Sequence, residues 1–161
     1  MKKNDQGLSL LEVLIAIFIV VVAVGALASL YPGIFRGITQ DAQSLKAWEI
    51  NQNEMENLKN TDFSTLLENA YIPEVENPKP VIFQQDKNVL GVYYVERMLY
   101  EDNSVISDLA KINVVVCYKS GNTIVGEAQV GSDEKLVAGD DINGDGKITS
   151  DVQLTTLIMQ Q

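Results

Sequence analysis

The side chains best equipped for chemistry in this sequence are carboxylates, and they occur in two settings. One is Glu12, an acid inside an apolar run in which no charged residue follows from Val13 to Phe35. It stands near the cytoplasmic end of that run, and a carboxylate there costs up to about 2.5–3.5 kcal/mol, the helix-centre value on insertion scales, so it needs a positive partner or a function. The other is the stretch 139–151, GDDINGDGKITSD, where Asp141, Asn143 and Asp145 alternate ahead of Gly146. Alternate oxygen-bearing side chains turn inward on a tight loop, as a hard cation such as Ca2+ requires. Other reactive types are scarce. His is absent, which removes histidine-based acid–base chemistry and most catalytic zinc sites. Cys117 is the only cysteine and sits in KINVVVCYK, where a small buried thiol is expected rather than a nucleophile. No nucleophile–base pair, phosphate loop or catalytic spacing of acids is visible, so enzyme activity is not expected.

The spacing Asp141-x-Asn143-x-Asp145-Gly146 resembles the first half of an EF-hand or dockerin-type calcium loop. On that pattern Lys147 would offer its backbone carbonyl, and Thr149 would bind directly or through water. The end departs from the pattern. Position twelve is Val152, and the closing acid, Asp151, arrives one residue early and is shorter than the usual glutamate. A non-standard loop closed by Asp151 or Asp140 and holding a structural Ca2+ is one reading. A plain Asx/Gly turn between strands, which N-G-D-G also suits, is the other.

Those carboxylates need elements to hold them. The chain of 161 residues is 46% hydrophobic, but unevenly so, with nearly all its charge beyond residue 35. Its net charge of −10 repels phosphate backbones, so nucleic-acid binding is not expected. A basic pair, Lys2 and Lys3, precedes an apolar stretch long enough for a helix to cross about 30 Å of hydrocarbon; the basic end should stay cytoplasmic. Ala26-Leu27-Ala28 also has the form of a signal-peptidase site, but the apolar run exceeds an ordinary signal, and a glutamate within one would be odd. Beyond the membrane, Ile38, Leu45, Trp48, Met55 and Leu58 recur at helical spacing, with Asp41, Gln43, Glu49, Asn51, Glu54 and Asn57 between them. Pro32 and Gly33, flanked by Gly25 and Gly37, predict a kink or local melt between 25 and 37. The three prolines of 73–80 form a linker. After it the period becomes two, predicting strands over 89–100, 111–119, 123–130 and 148–159, with a turn at Ser120-Gly121-Asn122.

The residues around Glu12, QGLSLLEVLIA, resemble the prepilin cleavage and methylation motif of type IV pilins and type II secretion pseudopilins. The resemblance implies a leader over 1–7 removed after Gly7 by a prepilin peptidase, and a new N-terminus at Leu8 that is normally N-methylated. Leu8 stands where the family more often has Phe. Glu12 would then be the fifth mature residue, one helical turn from the new amine. The resemblance also implies that Glu12 meets the amine of a neighbouring subunit and sets the register of assembly. In low dielectric that attraction exceeds its value in water, although desolvation offsets much of it.

The expected fold is α+β, a pilin-like ladle. One helix from Leu8 to about Lys59, on the order of 78 Å at 1.5 Å per residue, carries a roughly four-stranded antiparallel sheet on one face. Residues 8–35 would be the transmembrane and filament-core half, 36–72 the amphipathic half and its exit, 73–80 the linker, and 81–161 the head. Small residues such as Ala16, Ala23, Gly25, Ala26 and Ala28 would let such helices approach closely. The resemblance implies a single-pass inner-membrane protein, its head outside the cytoplasm, that passes into a cell-surface pilus as a minor pilin of the pilus-modification type. Its partners would be other pilins in a helical filament, the peptidase and the inner-membrane assembly platform. A secretion or competence pseudopilin is the alternative within that machinery. An uncleaved, membrane-anchored calcium-binding adhesion or sensor module is the alternative outside it.

Overall fold

The computed structural model describes residues 10–73, 75–100, 104–142 and 144–160, with 32–37 described by their backbone alone. Helix α1 runs from Leu10 to Lys59. Two compact units divide within it, between Thr39 and Gln40. The fold class is α+β.

In the first unit the described side chains of α1 are exposed. Leu10–Tyr31 is long and apolar enough to cross a membrane, and none of its most apolar window is buried within the chain. The backbone stays helical through Pro32 and Gly33, so the expected melt is not seen. Proline costs a helix one hydrogen bond, whereas unwinding would strand several backbone groups, a heavier penalty for a segment suited to hydrocarbon.

The second unit begins with the remainder of α1, continues into a short α2 (Phe63–Leu67) and then becomes β-rich. Its strands are β1 (Ala70–Tyr71), β2 (Val81–Gln85), β3 (Val89–Leu99), β4 (Val105–Ser120), β5 (Thr123–Val125), β6 (Ala128–Val130), β7 (Leu136–Ala138) and β8 (Gln153–Met159). The expected four-stranded antiparallel sheet is instead a six-stranded mixed one. β3 and β4 form its centre, β2 and β1 flank β3, and β8 and β5 flank β4; β1 alone runs parallel to its neighbour. β6 and β7 make a separate two-stranded sheet.

Three strand boundaries differ from expectation, each for a local reason. The central strand begins at Val105, well before 111, because its neighbours β3 and β8 continue the ladder. The stretch 123–130 is two strands, broken at Gly126, whose φ of 95° a strand cannot follow. The last strand starts at Gln153 instead of 148, although Ile148 and Val152 are buried as their parity suggested. The hairpin at Gly121-Asn122 is as expected, with Ser120 paired to Thr123.

Both faces of the sheet are covered, not one. Val95, Ala110, Ile112 and Val114 meet Met55, Leu58, Phe63 and Leu66 of the helices. Farther along the same face, Val89, Val116, Tyr118 and Val152 pack with Ala47 and the half-buried Trp48. On the opposite face Leu90, Val92, Tyr94, Val115 and Cys117 lie under Leu136 and Ile148. Residues 115–118 are therefore all buried, and strict alternation is lost there.

The docking face of α1 also departs from the expected stripe. Ala47, Asn51, Met55 and Leu58 are buried, whereas Ile38 and Leu45 are exposed. Asn51 was expected among the outward polar positions, yet it is fully buried. Its Nδ2 donates to the carbonyls of Val114 and Val152, both at 3.1 Å, which pins the helix across the seam of β4 and β8.

Candidate functional site

At the N-terminal end of α1, Glu12 lies in the first helical turn, acidic where the helix dipole favours an anion. Gly7 and Leu8 lie outside the described residues. Past Glu12 the helix surface is Val13, Leu14, Ile15, Ile17, Phe18, Ile19, Val20, Val21 and Val22, each more than two-fifths exposed. Apolar side chains in that number are not left in water. Their cover has to come from lipid or from other helices.

The acidic loop between β7 and β8 is braced largely by its own polar groups. Asp141 accepts from Gly144 N at Oδ1 and from Gly146 N at Oδ2, both at 2.7 Å. Asp145 Oδ1 accepts from Lys147 N at 2.8 Å. The turn needs Gly146: its φ is 75°, and an added Cβ would stand 3.0 Å from Pro78. Two residues outside the loop hold its ends. Glu127, only 8% exposed, accepts Ile142 N at 3.0 Å and Thr149 N at 2.7 Å on its two carboxylate oxygens. Tyr94, buried on β3, accepts Ile148 N on its hydroxyl at 2.7 Å.

Among the described residues no three Asp, Glu or Cys side chains gather as a metal-holding group. Asp141, Asp145 and Asp151 are exposed, and Asn143 lies outside the described residues. The Lys147 ammonium turns toward the sheet. It bonds Glu96 Oε2 at 3.0 Å and lies 5.5 Å over the Tyr71 ring. Tyr71 donates to the same oxygen at 3.0 Å, and Lys111 approaches it at 3.5 Å. Burial alone would raise the Glu96 pKa, but the Lys147 and Tyr71 hydrogen bonds and two lysine charges hold it below the ordinary carboxylate value. A cavity of about 160 Å³ opens beside the loop, lined by Pro80, Tyr94, Glu127, Asp141, Lys147 and Ile148 among others.

Cys117 is fully buried, and burial first, then the Glu127 charge, pushes its thiol up to about 12. At that value almost none is thiolate at neutral pH, so it cannot act as a nucleophile there. Gly126 lets the chain pass it closely; a Cβ at that position would lie 2.6 Å from the Cys117 sulfur.

Sequence reasoning missed Glu127, Tyr94 and Glu96. The signal for two of them was present: Glu127 is the single charged residue of 123–130, and Glu96 interrupts the strand VLGVYYVERML. An acid taken out of water has to be satisfied, but sequence does not say by what.

In comparison with known proteins, residues 2–28 match the family model described as the prokaryotic N-terminal methylation motif. No curated protein and no solved structure matches the chain. The motif implies processing by a prepilin peptidase and assembly with other pilins, and with the apolar helix it points to membrane anchoring. Together, the methylation motif and the exposed apolar helix it overlaps support a type IV pilin-like or pseudopilin protein.

Proposed function

We propose that this chain is a structural minor subunit of a type IV pilus, cut after Gly7 and assembled through its N-terminal helix, with no catalytic role. The observation that carries the reading is a coincidence. The matched motif over 2–28 overlaps a candidate membrane span, Leu10–Tyr31, whose first turn contains Glu12. In this reading the subunit diffuses in the membrane and is then drawn into a bundle of like helices, where apolar surface first covered by lipid becomes covered by neighbours. Mass spectrometry of the N-terminal peptide from the native host is the test. A methylated Leu8 is expected. An intact Met1 would refute processing and leave a membrane-anchored adhesion or sensor module.

A secretion or competence pseudopilin shares every feature used above. Pilus counts, secreted enzyme activity and DNA uptake in a deletion strain separate the two, with loss of pili alone expected here.

A structural Ca2+ in the 139–151 loop is a second part of the proposal, supported by the Asp141, Asn143, Asp145, Gly146 spacing and by the left-handed φ at Gly146. The carbonyl of Lys147 and the side chains of Thr149 and Asp151 would complete the set. Calorimetric titration should show binding at about 10⁻⁴–10⁻³ M, the range of extracellular modules, and Asp141→Asn should abolish it. No heat at millimolar Ca2+ would leave the loop a self-braced turn.

A further inference from the structure

β8 is an edge strand without the usual protection. Among the described residues it pairs with β4 alone, and its other side meets no strand. The bonds Val116 N to Val152 O (2.9 Å) and Gln160 N to Asp108 O (3.0 Å) set the ladder's parity. Even-numbered residues face β4, so the N–H and C=O groups of Gln153, Thr155, Leu157 and Met159 point to the open side. The remaining edge strands are blunted. β1 and β5 are two and three residues long, and β2 carries a register shift between Ile82 and Gln84. β8, QLTTLIM, has seven residues and contains no charge, proline or glycine. Leu157 and Met159 are 57% and 69% exposed beside the open row.

We propose that β8 is a homotypic contact strand: two copies of this chain join antiparallel, edge to edge, about a two-fold axis at Thr156. The occupant follows from three observations. The open row lies on odd-numbered residues, so an antiparallel partner must pair odd with odd, and centring on Thr156 engages the whole strand. Gln153 then faces Met159 of the second copy and Thr155 faces Leu157, while on the helix side Leu154 faces Ile158 and Thr156 faces itself. Such Thr–Thr and aliphatic pairs are favourable cross-strand neighbours. Second, a chain of net charge −10 repels its own copy least along an uncharged line, and β8 is one. Third, a cleft between α1 and β8, lined by Gln52, Met55, Glu56, Lys59, Asn60 and Leu154, borders the open edge. The two-fold brings a Glu56 and a Lys59 from each copy to one joint cleft, opposite charges in equal number. A two-fold contact joins identical patches. It turns the two sheets antiparallel, so it is not a contact between side-by-side subunits sharing one direction, and it does not rest on the pilus reading.

The test is oxidative cross-linking of the full-length chain in detergent. Residues facing themselves in a non-hydrogen-bonded pair have Cβ atoms close enough for a disulfide, at about 4.5–5.5 Å before relaxation. Thr156→Cys should give a covalent dimer, with Gln153→Cys and Leu157→Cys at least about tenfold less efficient because each faces a different residue. Cys117 is buried and provides no background. Adding Leu157→Lys, at an exposed position that folding tolerates, should lower the Thr156→Cys dimer about tenfold by placing like charges on both edges. Absence of a Thr156→Cys dimer, equal yields from all three cysteines, or indifference to Leu157→Lys would each overturn the proposal.

Discussion

Glu127 commits both carboxylate oxygens to backbone donors, one near each end of the acidic loop. Its own backbone joins the same arrangement, with its N–H on Thr149 O at 2.8 Å and its carbonyl accepting Gly139 N at 3.0 Å. A side chain in that position is a brace, and its removal takes away two charge-assisted hydrogen bonds, one to the half-buried Thr149 N and one to the N–H of the exposed Ile142, each worth about 1.5–3 kcal/mol at most. Glu127→Ala should therefore destabilise the head by roughly 3 kcal/mol, read as a lower urea midpoint by fluorescence of the single Trp48. Glu127→Gln should cost nearly as much, because only one end of an amide accepts and the other would confront an N–H. A loss below about 0.5 kcal/mol, the level of an ordinary surface substitution, would mean that the loop is held by Asp141 and Tyr94 without it.

At the scale of elements, the junction of α1 and the sheet turns on Asn51. The amide sits between Val114 O and Val152 O, so it fixes both the rotation of the helix and its height on the β4–β8 seam. Its Oδ1 finds no partner among the described protein atoms. Asn51→Ala should cost about 2–3 kcal/mol through a lost polar pin and a cavity, whereas Gln52→Ala, on the exposed side, should stay within about 0.5 kcal/mol. Equal effects would put the docking face elsewhere. The same residue explains what could be read from sequence. Met55 and Leu58 announced the helix face through apolar spacing, but Asn51 read as outward because its type gives no hint of two waiting carbonyls. Leu45 read as inward because nothing in a helical period says where the sheet ends. The long central strands and the Gly121 hairpin were legible from their alternation and turn residues. The short strands β1, β2 and β7 were not, since two to five residues are too few to establish a period and their pairing partners lie far along the chain. In the acidic loop the turn chemistry was legible, and its brace from Glu127 was not.

At the scale of the whole molecule, two solvents shape the chain. The part beyond residue 35 is acidic, and the N-terminal helix exposes a run of aliphatic residues that water would not tolerate. Glu12 belongs to that helix, and the proposed function gives the acid a role in subunit-to-subunit recognition through the amine released at Leu8. Glu12→Val separates that role from membrane entry. Removing a carboxylate relieves insertion cost, up to about 2.5–3.5 kcal/mol at mid-membrane and less at the end of the span, so the variant should reach the membrane at least as well as the parent, and cleavage after Gly7 should proceed. What it loses is the charged contact between neighbours, which low dielectric strengthens. Its incorporation into filaments should therefore fall by at least about tenfold, the equivalent of 1.4 kcal/mol, measured by immunoblot of sheared pili against the membrane pool. Glu12→Gln, which keeps the shape and a hydrogen-bond acceptor but not the charge, should fall between the two. Normal incorporation of the valine variant would mean that packing of the aliphatic surface alone drives assembly, and that the acid serves a step before the filament.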